Sequence, residues 1–501
     1  LDIAARNRET VLRSAYLKAK RQTERGAEGE VAAYVIPADQ HDPLTMKHMV
    51  NKLLGQGIEV LVSEGSFTHE GRVYGAGSYA VSMAQPKRGV IRWLLGQTNY
   101  PDNSYTRDRE GNPIRPYDMS TDNMAEFMGV AVHPVATPVT GLQVVDGTLT
   151  PEGAVASAEG ADSGLRIDGR QNAAFKAVNL LWDEGAVVRR ADADGATLRA
   201  GDFVVPGSTS QELLTRIAME TGVSFEALDQ DPTAATRPAR RQRLAMYQRY
   251  YGGNMDEGWT RWLLEDFRFP YTTLMDDRIL DGNLRRDFDV IILPADRVAM
   301  MTGNLDGAQG GRRRTDPSDY PPEYRSGFGD EGVQHLEDFV RNGGTLVTFA
   351  EAGDLPIQEF DLPVRNALAG VAPLDFWSPG STLHVKVDNK DRFAYGMPDQ
   401  ALAAFLANNQ VYEVSPGAES HTVKRIVEFV DRDLLQSGWL LGEERIANRA
   451  TMVSVRHGQG TVLLVGFRAQ HRAQTHGTFK LIFNAFVSGP EGGEVAAATG
   501  R

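Results

Sequence analysis

A chain without cysteine must draw its chemistry from carboxylates, imidazoles, hydroxyls and amines, and this one has none. Disulfides, thiolate nucleophiles and Cys-ligated zinc or iron–sulfur sites are thereby removed. None of the 10 histidines falls in H-x-x-E or H-E-x-x-H, the spacings that bring two zinc ligands together, so no metal site is expected. His471 and His476 stand close together in RAQHRAQTHG, a stretch expected to be a loop before a helix. They are ligand candidates, with solvent exposure or simple hydrogen bonding as the commoner expectation. The densest acidic candidate is NMDEGWTRWLLEDF, where Asn254, Asp256 and Glu257 open a helix after Gly252 and Gly253. Backbone N–H groups there could face an anion. Asp256 and Glu257 already complement the positive helix end, which leaves helix capping by Asn254 and Asp256 as the expected role. Neither this glycine pair nor Gly75–Gly77 makes a G-x-G-x-x-G or Walker motif. The other adjacent acids, Asp276/Asp277 and Glu443/Glu444, are assigned like Asp256/Glu257 to solvated surfaces, since neighbours in sequence do not face a common substrate.

These groups need a scaffold, and 501 residues suggest about three domains. The 41% hydrophobic and 24% charged fractions are those of a globular chain. No apolar run approaches the ~18 residues of a membrane helix. A formal charge of −13 argues against wide contact with nucleic acid. The two basic clusters, Arg237/Arg240/Arg241/Arg243 and Arg312/Arg313/Arg314, lie in Pro/Gly-rich connections and read as solvated loops. Leu1 to Lys20 reads as a helix with Val11, Leu12, Tyr16 and Leu17 on one side, and a processed piece of a longer polypeptide is the expectation.

Residues 1–30 are read as this helix and a polar linker. Residues 31–140 form a first α/β unit: strand VAAYVIP, a helix from Asp42-Pro43 to Gly57, strand IEVLVSE, strand GSYAVSMAQP and helix KRGVIRWLLG. Strands alternating with helices imply parallel pairing. The pattern returns roughly 128 residues later. VNKLLGQGIEV from Val50 aligns with VNLLWDEGAVV from Val178, and GSYAV from Gly77 with GDFVV from Gly201. Residues 141–236 are therefore read as an internal repeat of the first unit. Asn99 to Met119 reads as a long polar loop and residues 141–160 as a turn-rich joint. Residues 237–487 form a third unit with strands LAMYQ, YTTLM, FDVIILP, TLVTF and GTVLLVGF, plus antiparallel runs such as TLHVKVD. An insertion from Thr302 to Gly329 and a tail, 488–501, read as mobile and disordered.

In order of elements the third unit resembles a class I glutamine amidotransferase-like, flavodoxin-like fold. In that family a nucleophilic cysteine stands on a sharp turn after a strand. The comparable turn here, in GGTLVTFAEAG near Glu351, offers neither cysteine nor serine, while a histidine remains in RAQHRAQTHG. A fold kept without its reaction is implied. Trp259 and Trp262 are then core and interface anchors.

AYVIPADQHDP, GSYAVSMAQPKR, NMDEGWTRWLLEDF, FDVIILP and GTVLLVGFRAQHRAQTHGTFKLIFNAF together resemble the region after the catalytic domain of bacterial zinc carboxypeptidase-like proteins, the carboxypeptidase A-type metallopeptidases. The resemblance runs from about Ala4 to Phe486. It implies a secreted or periplasmic parent whose zinc would sit on an upstream peptidase domain, with no catalytic residue and no cofactor carried by this chain. Expected partners are that peptidase domain or chain, and copies of the chain itself in an oligomer or larger assembly. Nucleic acid and a membrane span are not expected. Two alternatives stay open. One is a structural or surface-assembly protein. The other is a ligand-binding protein or enzyme using a cleft at the strand ends with Asn254, Asp256, Glu257, Glu351, His471 and His476.

Overall fold

The computed structural model describes residues 1–157, 163–228, 235–250, 253–304, 321, 324–325, 327–417 and 422–487. The Arg312–Arg314 cluster, most of the 302–329 insertion and the 488–501 tail fall outside them. The chain opens with α1 (Asp2–Arg6) and α2 (Arg8–Ala27). The opening helix thus breaks at Asn7 and continues through TERGA, which had read as linker. Its apolar residues Val11, Leu12 and Tyr16 are exposed. Its one buried residue is Gly26, where an added Cβ would lie 1.8 Å from the Met83 carbonyl oxygen.

The first unit contains β1 (Ala33–Ile36), α3 (Pro43–Gly55), β2 (Leu61–Val62), a hairpin of β3 (Phe67–His69) and β4 (Arg72–Tyr74), and β5 (Tyr79–Ser82). It continues with α4 (Arg88–Leu95), α5 (Met124–Met128), β6 (His133–Val135) and β7 (Gln143–Val144). Its sheet order is β6-β1-β5-β2-β7. The second contains β8 (Gly164–Ile167), α6 (Asn172–Asp183), β9 (Arg189–Ala191), β10 (Phe203–Pro206), α7 (Gln211–Thr221), β11 (Glu226–Leu228) and β12 (Thr236–Pro238), ordered β11-β8-β10-β9-β12. The two orders are the same, strand for strand.

Every pairing in both sheets is antiparallel, against the parallel expectation. The helix after the first strand does return the chain in the same direction. It skips one place, however, and the next strand of the hairpin fills the gap, which is the split βαβ of a ferredoxin-like unit. The fifth strand carries the first sheet past residue 141 and the second past 236, so both unit boundaries lie later than expected. Matching sequence positions do matching work. Ser78 Oγ accepts from Ala38 N at 3.0 Å, just beyond β1, and Asp202 Oδ1 accepts from Gly169 N at 2.9 Å, just beyond β8. Gly57 and Gly185 both take positive φ, 69° and 72°, ending their helices.

The third unit has β13 (Leu244–Tyr247), α8 (Met255–Asp266), β14 (Tyr271–Leu274), α9 (Asp276–Leu280), α10 (Leu284–Asp287), β15 (Val290–Leu293), α11 (Val298–Thr302), α12 (Gly329–Arg341) and β16 (Thr345–Phe349). After α13 (Asp354–Glu359) come β17 (Val364–Asn366), β18 (Ser381–Val387), β19 (Gln400–Phe405), β20 (Tyr412–Val414), β21 (Val423–Phe429), β22 (Leu435–Ser437), β23 (Ala450–His457), β24 (Gly460–Val465) and α14 (Lys480–Val487). The parallel strands run β14-β13-β15-β16-β24, a 2-1-3-4-5 flavodoxin-like order, and antiparallel β23, β21, β18 and β19 extend the sheet. The fold is therefore α/β, with a flavodoxin-like domain carrying antiparallel additions.

Parallel strands covered on both faces read as unbroken apolar runs. Leu244 and Met246 of β13 join one core and Ala245 and Tyr247 the other. The first core is continuous with the second unit through Phe175, Phe203 and Phe225. The Asn99–Met119 loop ties the first unit to the third: Tyr100 N donates to Gly438 O at 3.0 Å.

Candidate functional site

In a doubly wound sheet the carboxyl ends of the parallel strands line a crevice where the strand order reverses, here between β13 and β15. A charged residue stands just past four of these strands: Arg249 after β13, Asp296 after β15, Glu351 after β16 and Arg468 after β24. Asp256 joins them from the first turn of α8. Its carboxylate accepts from Arg468 Nη1 at 2.7 Å, Ala295 N at 2.9 Å and Gln470 Nε2 at 3.1 Å. Asn254 caps α8, accepting from Asp256 N at 2.9 Å and Glu257 N at 3.3 Å. Arg249 pairs with Asp296. Burial pushes the Glu351 carboxyl up, opposed by Arg468 and reinforced by Asp296.

Asn254, Asp256 and Glu351 thus converge, while Arg249, Asp296 and Arg468 were missed. Their signal was a charge placed immediately after a buried strand. Glu257 does not join. It bonds Arg261 on its own helix at 3.1 Å, and burial pushes its carboxyl up. The solvated-surface assignment is corrected for Asp256, Glu257 and Asp276, which are all buried. Asp256 is held by the helix start and Arg468, and Asp276 by the Tyr247 hydroxyl at 2.7 Å and Gly327 N at 2.9 Å. In the Arg237–Arg243 cluster, Arg237, Arg240 and Arg243 are exposed, as expected, and Arg237, Arg241 and Arg243 pair with Asp192, Asp183 and Asp289. Trp262 is exposed rather than an anchor, whereas Trp259 packs on His471.

The sharp turn after β16 belongs to Ala350, one residue before its expected place. Ala350 is fully buried with φ 45°, a left-handed conformation that costs a residue with a Cβ about 1–2 kcal/mol. A methyl group therefore occupies this tight turn, the elbow after β16. In a chain with no native thiol, Ala350→Cys should give a single cysteine that resists a water-soluble disulfide reagent under native conditions and reacts on unfolding. Rapid native labelling would mean that the elbow is open to solvent.

His471 and His476 separate. The His471 ring is 2% exposed, set edge-on to Trp259 at 5.3 Å and Phe127 at 6.3 Å, and neither ring nitrogen has a hydrogen-bond partner among the described residues. Burial, then Arg472 and Arg468, push its pKa down to about 3, so the imidazole is neutral at ordinary pH. It is a wedge between the first and third units, contrary to the expected solvent-facing or hydrogen-bonding role.

His476 lies on a cavity of about 830 Å³ between the first unit and the third. Tyr34, Arg88 and Arg92 of the first unit line it together with Gln400, His476 and Lys480 of the third, and His41, Asp42 and Asn172 also contribute. His41 Nε2 lies 2.8 Å from Gly396 O. Burial lowers the His476 pKa to about 4. Among the described residues no group of three or more His, Asp or Glu side chains is placed to hold a metal ion, and no helix is long and apolar enough to cross a membrane.

No protein-family model matches the sequence, and no curated protein does. Among solved structures, a ThuA-like protein from Bacteroides uniformis is 13% identical, with a TM-score of 0.28 over 50% of this chain and 91% of its own. PurLQS from Thermotoga maritima is 14% identical, with a TM-score of 0.30 over 49% and 98%. A GMP synthase component from Thermoplasma acidophilum is 9% identical, with a TM-score of 0.29 over 49% and 94%.

Proposed function

We propose that this chain is a non-catalytic accessory region of a secreted zinc carboxypeptidase-like protein, acting in the periplasm or outside the cell. It packs against the peptidase domain of the same polypeptide or positions peptide substrate for it, and the zinc belongs to that domain. The observation that carries the non-catalytic part is the buried Ala350 at the elbow, next to strand-end charges already engaged with one another. The peptidase partner rests on the sequence resemblance. The test compares the whole polypeptide, its peptidase part and this chain for zinc content and hydrolysis of C-terminal residues from peptides. This chain alone should hold no stoichiometric zinc and release no amino acid, and its presence should lower the peptidase KM. Zinc-dependent hydrolysis by this chain alone would overturn the reading.

An assembly role is favoured by one observation, the exposed Val11, Leu12 and Tyr16 of α2. Light scattering on the same samples should then show multimers that Leu12→Glu disperses. An unchanged mass for wild type and variant would remove this alternative.

A further inference from the structure

Lys480 opens α14 at the wall of the inter-unit cavity and is 2% exposed. Its ammonium group has three protons to donate. Among the described residues it makes one hydrogen bond, to Asn172 Oδ1 at 3.2 Å, and no ion pair. Asp42 is near enough to act on it electrostatically, but its oxygens are already occupied. Oδ1 accepts from Leu44 N at 3.1 Å and Thr45 N at 3.0 Å, and Oδ2 from Thr45 Oγ1 at 2.8 Å and Asn172 N at 2.8 Å. Asp168, the other acid acting on Lys480, is bound by Arg170. Asn172 is fixed in turn, donating through Nδ2 to His476 O at 2.8 Å.

A buried, unpaired ammonium is costly, and a structure that aims one at a cavity wall with its hydrogen-bond neighbour locked has a ready position for an anion. His476 supplies a complementary group. Its Nδ1 lies 2.8 Å from Gln474 O, which makes Nδ1 the protonated nitrogen and leaves the Nε2 lone pair as an acceptor on a ring that lines the cavity. Arg88 and Arg92 also line the cavity and add positive charge. The cavity, about 830 Å³, has the size of a small-molecule site.

We propose that the cavity binds a carboxylate ligand carrying an adjacent N–H, the chemistry of an acylated amino acid or a peptide C-terminus, with Lys480 on the carboxylate and His476 Nε2 accepting from the N–H. The site extends beyond the accessory role and stands whether or not a peptidase is the partner. Burial lowers the lysine pKa, and a carboxylate bound beside it would raise that pKa again.

The test is calorimetric titration of the whole chain with N-acetyl-leucine and, separately, N-acetyl-leucinamide, which replaces the carboxylate by a neutral amide of the same shape. The acid should bind at least about tenfold more tightly than the amide, and Lys480→Met should remove that preference. Because Met is a neutral near-isostere of a buried charge, the variant should melt at or above the wild-type temperature. Should it fail to fold, the Lys480 Cε resonance of ¹³C-lysine-labelled wild type serves instead, and it should move on addition of the acid but not the amide. Equal binding of acid and amide by the wild type, a preference retained in folded Lys480→Met, or a resonance that ignores the acid would each overturn the site. None of these outcomes depends on zinc, peptidase activity or a partner chain.

Discussion

Replacing Asp256 with alanine should destabilise the chain by about 3–5 kcal/mol, the usual consequence of removing one member of a buried ion pair. The carboxylate is 4% exposed, and its loss leaves Arg468, itself 12% exposed, as a cation without its partner. It also strips Ala295 N and Gln470 Nε2 of an acceptor. Three elements, α8, the segment after β15 and the segment after β24, are held together by that one side chain. The neighbouring acid should behave oppositely. Glu257 is also buried, yet its one charged partner is the half-exposed Arg261, and Glu257 Oε1 is unpartnered among the described residues. Because burial raises the folded pKa of Glu257, its contribution is complete below the unfolded carboxyl pKa and is lost as pH rises through the folded one. At neutral pH, Glu257→Gln should therefore be neutral or stabilising. Urea midpoints at pH 7, followed by tryptophan fluorescence, compare the two directly. Similar losses in both variants would show that the acids share one environment.

The contrast between these adjacent acids marks where sequence reading ran out. Helix capping by Asn254 was legible because it is a local backbone effect, set by residues within one turn. The strands and helices of the third unit were legible because buried parallel strands leave long apolar runs with helices between them. The repeat was legible from Gly57/Gly185 and Gly77/Gly201, where backbone geometry restricts the residue. What was not legible was long-range. The split βαβ looks like an ordinary one in sequence, since the inserted strand changes the neighbours and not the pattern. Asp256 meets Arg468 across 212 residues of chain, and neither periodicity nor composition announces such a pair. Likewise Lys480 sits in TFKLIFNAF, where a lysine among apolar residues reads as a solvent-facing position until Asn172 and Asp42 close over it.

Phe483→Ala should cost about 3–5 kcal/mol, in the range of a fully buried aromatic truncation, and its effect should reach beyond one unit. The Phe483 ring is fully buried on α14. It meets Phe267 at 4.7 Å, Phe269 at 5.2 Å and Phe479 at 5.8 Å in the third unit, and Phe175 at 5.3 Å in the second. The second unit has no separate main core: Leu165, Phe175, Val178 and Phe203 belong to the same apolar cluster as β13, β15 and α14. The first unit keeps its own core around Met46, Met49, Val50 and Leu53. Removing the Phe483 ring opens a cavity at the seam between the second and third units and leaves the first untouched. Hydrogen exchange should then quicken together in α6, β10 and α14, while α3 and β1 retain wild-type protection. Faster exchange confined to α14 would mean that the second unit holds itself together without the third. If all three units lost protection equally, the first unit would also depend on that seam, and its separate core would not be a separate folding unit.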